Sequence, residues 1–254
     1  MYSPIFDVKR NGVPIVSKNM LDIIAERMIQ DFCPKALDIP EAIDIDRFVV
    51  RGLGMKQDFQ LLSNNGVYLG MTVFNDSDKV PIYDPRTKRA EYISVKAGTM
   101  LIDAQLLDDK QEHRYRFTAA HEGAHKILHS QYFTHNPDQL EISGMGREPM
   151  VQCRVDITKQ PKKESVCTDT DWMEWQANRL ASALLMPRSM VNKLVEDMKA
   201  KSSVFQSAVC IRAVSDKFNV SELAARIRLK ELDIIGDFKK SDIDYEMDFL
   251  PRIV

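Results

Sequence analysis

Apolar positions recur along the chain with two different periods, and the change of period divides it. Between residues 18 and 33, Leu21, Ile24, Ala25, Met28 and Phe32 fall three or four apart, the spacing of one helix face. Ser17 stands where an N-cap belongs, and Pro34 stops the run. Residues 1–16, with Pro4 and Pro14, predict an extended arm. A second short helix is predicted near 40–51, closed by Gly52 and Gly54. From 56 to 107 the texture becomes β-rich. The runs 59–62, 67–74, 80–83 and 99–103 are separated by Asn64-Asn65-Gly66, by 75–78 and by Asp84-Pro85, which predicts a small twisted sheet. Helical spacing returns at 112–130. Residues 131–168 are polar and irregular with a strand predicted at 150–157, and further helices are predicted at 171–186, 188–200, 204–218 and 221–233. The pattern is that of an α+β protein. It divides into an arm (1–17), one domain (18–236) with an inserted stretch (133–170), and a tail (237–254).

Composition narrows the class. Of 254 residues, 44% are apolar and 28% charged, which supports a folded core and argues against disorder. A net charge of −2 places nucleic-acid binding behind other functions, because a chain built to grip phosphates carries a basic surplus. No apolar run reaches the length of a membrane span, and the first twelve residues have no signal-peptide core. The four cysteines, Cys33, Cys153, Cys167 and Cys210, form no CxxC pair and no disulfide framework. A cytoplasmic, reducing setting is expected.

The chemistry concentrates in His121-Glu-Gly-Ala-His125, an HExxH match inside the 112–130 helix. Histidines at i and i+4 project from one face, so both imidazoles can reach one zinc ion. Such an ion acidifies a water and polarises a carbonyl, and Glu122 is placed to take that water's proton. His129 continues the series, but it lies about 12 Å along the axis from His121 and is expected to pack behind the site instead of joining it. A third ligand must come from elsewhere. Glu174 is the best candidate, because Glu174, Ala177, Asn178, Ala181 and Leu185 share one face and the alanines permit close helix approach. The competing reading makes Asp171 and Glu174 a capping box, with Glu174 turned back to the backbone.

Two blocks then resemble the ImmA/IrrE metallo-endopeptidases. The first is Arg114-Tyr-Arg-Phe-Thr-Ala-Ala-His-Glu-Gly-Ala-His-Lys-Ile-Leu-His129. The second is Glu174-Trp-Gln-Ala-Asn-Arg-Leu-Ala-Ser-Ala-Leu-Leu-Met-Pro187. Stretches at 69–74, 98–103 and 218–229 are similar too, so the likeness spans about 18–235. It implies a zincin-like catalytic domain at 18–236, zinc held by His121, His125 and Glu174, Glu122 as the base, and a helix-turn-helix repressor as substrate. Two departures stand out. Ala124 replaces the usual glycine, and the 49 positions from His125 to Glu174 exceed the usual connection, which marks 133–170 as an insertion.

Two other functions compete. Residues 207–232 read as a helix-turn-helix, with Asn219 at a left-handed turn, Ser221 as a cap, and Arg226, Arg228 and Lys230 facing DNA. The alternative to DNA binding is a helical hairpin packed on the catalytic core. A silent zinc-binding protein is the other rival, though a purely structural site has no use for Glu122. Cys33 and Cys210 are expected to be buried, inert thiols. Cys153 and Cys167 lie in the insertion, where a thiolate could block the metal.

Overall fold

A computed structural model of the chain describes residues 2–134, 150–154, 168–201 and 206–236. The arm forms a small antiparallel ribbon, β1 (Asp7–Val8) and β2 (Pro14–Ile15). Helix α1 (Lys18–Phe32) follows, its first turn closed by Ser17 Oγ accepting from the Met20 amide. The predicted face is the buried one, with Leu21, Ile24, Ala25 and Met28 in the main core. Near 40–51 the helix is shorter than expected. Only α2 (Ile45–Arg47) is α-helical, and it widens into a π turn, Phe48–Gly52.

Strands β3 (Lys56–Gln60), β4 (Tyr68–Val73), β5 (Ser77–Asp84), β6 (Arg89–Val95) and β7 (Thr99–Asp103) follow. They do not make one sheet. β3 runs parallel to β7, β4 lies antiparallel to β7, and β8 (Met150–Arg154) closes the order β3-β7-β4-β8. β5 and β6 form a separate hairpin. Sequence reading missed β6, whose residues Arg89 to Tyr92 are exposed; cross-strand pairing with β5 holds it, not an apolar face. β8 falls inside the predicted strand at 150–157, so the insertion supplies an edge to the sheet. The rest of 135–167 lies outside the described residues, and with it Cys167 and the thiol-block idea.

Period-two alternation explains how the sheet is covered on both faces. Met71, Val73 and Leu101 point toward the β5–β6 hairpin, packing with Val80 and Val95. Gly70, Thr72, Met100 and Ile102 point toward α3 (Glu112–Phe133). α4 (Asp169–Leu185) lies along the other side of α3, and α5 (Arg188–Lys201), α6 (Ser207–Phe218) and α7 (Glu222–Glu231) complete the described fold. It is a mixed α+β architecture. Every residue of α3 from Thr118 to His125 is buried, because sheet, α4 and π turn enclose it. Gly123 permits this: a Cβ there would stand 3.1 Å from Leu53 and 3.2 Å from Val49 of the π turn and its exit.

The C-terminal hairpin has the local features read from sequence. Asn219 is left-handed (φ 50°) and Ser221 caps α7. Its turn docks on α3. Asn219 donates to Glu112 Oε1 (2.6 Å), its side-chain oxygen meets His113 Nε2 (3.0 Å), and its carbonyl accepts from Arg116 Nε (3.0 Å), all on α3. Arg228, expected to face phosphate or bases, is fully buried and pairs with Asp22 of α1 at 2.8 Å. A guanidinium so enclosed is available to no external phosphate. Cys210 is buried as expected, whereas Cys33 ends α1 partly exposed.

Candidate metal centre

The site forms where the middle of α3 meets α4 and β4. Ala120, Ala124, Ala177 and Ala181, all fully buried, let α3 and α4 approach closely. His121 Nε2 and His125 Nε2 stand 3.0 Å apart. Glu174 Oε2 lies 3.3 Å from His121 Nε2, and Glu174 Oε1 lies 3.3 Å from His125 Nε2. These three residues are the one group among the described residues whose nitrogen, sulfur and carboxylate donors cluster as metal ligands do, within 4.8 Å of one another.

The capping-box alternative for Glu174 fails because α4 starts one turn early. Thr168 is the N-cap and Asp171 is its box partner: the Asp171 amide donates to Thr168 Oγ1 (3.1 Å) and the Thr168 amide donates to Asp171 Oδ2 (3.0 Å). Glu174, one turn further on, is turned toward the histidines. His129 is buried behind the cluster, its Nδ1 2.9 Å from His125 Nδ1 and its Nε2 3.0 Å from Gln176 Oε1. Burial, with His125 beside it, pushes its pKa down to about 3, so the ring is neutral.

The donors fit a cation. His121 Nδ1 lies 2.9 Å from Asn178 Oδ1, an acceptor, so His121 carries its proton there and turns a lone pair toward Glu174. A lone pair of His121 and the oxygens of Glu174 thus face the point that His125 Nε2 also reaches. A tetrahedral ion with bonds of about 2.0–2.2 Å spaces its donors about 3.3–3.6 Å apart, close to the separations seen. Burial opposes ionisation of Glu174, but the neighbouring His125 and His121 hold its carboxyl well below the usual range.

Glu122 is fully buried beside this cluster. Thr72 Oγ1 on β4 donates to Glu122 Oε2 at 2.5 Å, and Glu122 Oε1 has no hydrogen-bond partner among the described residues. Burial pushes the carboxyl up to about 7, against the pull of His121 and the Thr72 hydroxyl. Gly70 makes room for it: a Cβ there would lie 2.7 Å from Glu122 Oε1 and 2.7 Å from Thr118 Cγ2. Gly70→Ala is therefore expected to push β4 away from α3 and cost about 1–3 kcal/mol by overpacking. Thermal melting checks this, and an unchanged midpoint would show that the contact relaxes freely.

Thr72, Gly70, Asn178 and Gln176 were not picked out as site residues from sequence. Asn178 and Gln176 lie four and two positions after Glu174, a spacing that could have flagged Asn178. Nothing local marks Thr72 or Gly70, whose roles come from β4 lying across α3.

Comparison with known proteins matches residues 153–230 to the family model described as IrrE N-terminal-like domain, Peptidase_M78. The matched stretch contains Glu174 and begins after the His121–His125 segment. No curated protein matches the chain. Residues 153–230 thus match the IrrE N-terminal-like peptidase domain, which agrees with the family that the two sequence blocks resemble.

Proposed function

We propose that the chain is a zinc-dependent endopeptidase, with His121, His125 and Glu174 as ligands and Glu122 as general base. The observation that carries this reading is the convergence of three lone-pair donors beside a buried carboxylate that has one oxygen unengaged. When bound, zinc supplies Lewis acidity to a water and to the scissile carbonyl. Glu122 accepts the attacking water's proton and returns it to the leaving nitrogen. Thr72 holds one carboxylate oxygen, so the other keeps its aim. The enclosing walls of α3, α4 and β4 keep bulk water from competing for the same groups.

The domain over 18–236 is zincin-like in this reading, and the arm, insertion and tail are accessory to it. Among the described residues no helix is long and apolar enough to cross a membrane. The substrate in this reading is a cytoplasmic protein. The resemblance points to a helix-turn-helix repressor as that substrate. Co-expression with a repressor encoded beside this gene tests it: a cleaved repressor with the intact protein, and an uncleaved one with a Glu122 variant, is the expected pair of results. The metal assignment has its own test. Purified protein should hold about one zinc per chain, and Glu174→Ala should lose most of it while α4 stays capped by Thr168 and Asp171. Zinc stoichiometry beside circular dichroism reads both; full retention in Glu174→Ala would remove Glu174 from the ligand set.

A further inference from the structure

We propose that Gln176 and His129 are positioning residues that carry the orientation of one backbone carbonyl, that of Pro14 in the N-terminal arm, to His125 and so select the nitrogen it offers to the metal. The inference rests on the metal reading above for its purpose, but not for its geometry.

The chain of contacts admits one assignment of protons. A backbone carbonyl only accepts. The Gln176 atom 2.9 Å from Pro14 O is therefore its NH2 group, and the atom 3.0 Å from His129 Nε2 is its oxygen. An amide oxygen also only accepts, so the neutral His129 ring carries its hydrogen on Nε2 and a lone pair on Nδ1. That Nδ1 stands 2.9 Å from His125 Nδ1, and the hydrogen between them can only be His125's. The lone pair of His125 is then on Nε2, the nitrogen that faces Glu174 Oε1 and His121 Nε2. Each ring stays neutral, and only the position of a proton is set.

Burial makes the relay binding. Gln176, His129 and His125 are all fully buried, so a reversed amide or a wrong tautomer would find no water to satisfy the atoms it stranded. The arm is held where the relay needs it. Trp172 Nε1 donates to the same Pro14 carbonyl (3.2 Å), Lys9 pairs with Asp169 (2.5 Å), and β1 pairs with Pro14 through Val8. A segment 107 positions before His121 thus becomes part of the metal site's support.

The test begins on wild-type, metal-free protein with 15N-labelled histidine at pH 8, where long-range proton–nitrogen correlation reads each tautomer. His129 protonated on Nε2 and His125 on Nδ1 are expected; His129 protonated on Nδ1 overturns the relay, whether or not the protein binds zinc. Variants then separate orientation from packing. Gln176→Leu fills the space but accepts nothing, so zinc affinity, measured by chelator competition, should fall roughly ten- to hundred-fold. Gln176→Glu, buried and so protonated, can donate its O–H to the Pro14 carbonyl while its other oxygen accepts from His129, so it should keep the His129 tautomer and lie within several-fold of wild type. A packing role predicts the reverse order, because a buried carboxyl group is a worse filler than leucine. Leu retaining wild-type affinity, or Glu binding more weakly than Leu, overturns the proposal. Wild type without zinc but with the expected tautomers would uphold the relay and refute the metal reading alone.

Discussion

Glu122→Gln is expected to abolish peptide cleavage while leaving zinc content and melting temperature close to wild type. The substitution is nearly isosteric, and the amide oxygen still accepts from Thr72, so the contact between β4 and α3 survives. What is lost is a group able to take a proton, and general-base catalysis of this kind contributes about 10²–10⁴-fold. The effect falls on kcat, not on binding, because Glu122 is not among the three clustered donors. Turnover of a cleaved peptide, measured beside metal stoichiometry, checks both halves. Cleavage within a few-fold of wild type would remove Glu122 from the base role. Loss of zinc together with activity would mean that the carboxylate helps to hold the metal.

The largest stability effect should come from Asp22→Ala, far from the chemistry. Asp22 on α1 is 2% exposed and meets three guanidiniums: Arg228 at 2.8 Å, Arg188 at 2.5 Å and Arg179 at 3.4 Å. Arg179 also pairs with Glu231, and Arg228 Nε donates to the Met186 carbonyl at 3.0 Å. One carboxylate therefore ties α1 to α4, α5 and α7. Its removal leaves Arg228 and Arg179, both buried, with Glu231 as their remaining carboxylate partner in this network. Breaking a buried pair by deleting one partner costs about 3–5 kcal/mol, since an uncompensated charge remains in low dielectric. That is a large part of the roughly 5–15 kcal/mol by which domains are stable. Denaturant unfolding should show it as a midpoint shift at unchanged slope. Lys96→Ala, which deletes the exposed Lys96–Asp76 pair, serves as the control and should move the midpoint little. A shift no larger in Asp22→Ala than in that control would show that the network is not what holds the helices together.

Local chemistry made much of this protein legible in its sequence. α1 and α7 begin after Ser17 and Ser221 because a serine oxygen satisfies an amide that the helix cannot. His121 and His125 share a face because helix geometry puts i and i+4 together, whatever the surroundings. Glu174 lay on a face at helical spacing, but spacing left it between cap and ligand. Contacts across the fold decided the rest. Where α4 starts is settled by Thr168 and Asp171, and this frees Glu174 to meet the histidines. Arg228 has the sequence of a surface arginine on an amphipathic helix; it is buried because Asp22, about 200 positions earlier, offers an opposite charge that solvent would otherwise supply. Gly70 and Thr72 have no signal at all in a β-rich run, since their roles exist only where β4 crosses α3 at Glu122. Sequence alone determines which groups can do chemistry and on which local face they stand. Which faces meet, and so which carboxylate reaches the histidines, which lies buried against β4 and which ties the helices together, is decided by long-range packing that no local period encodes.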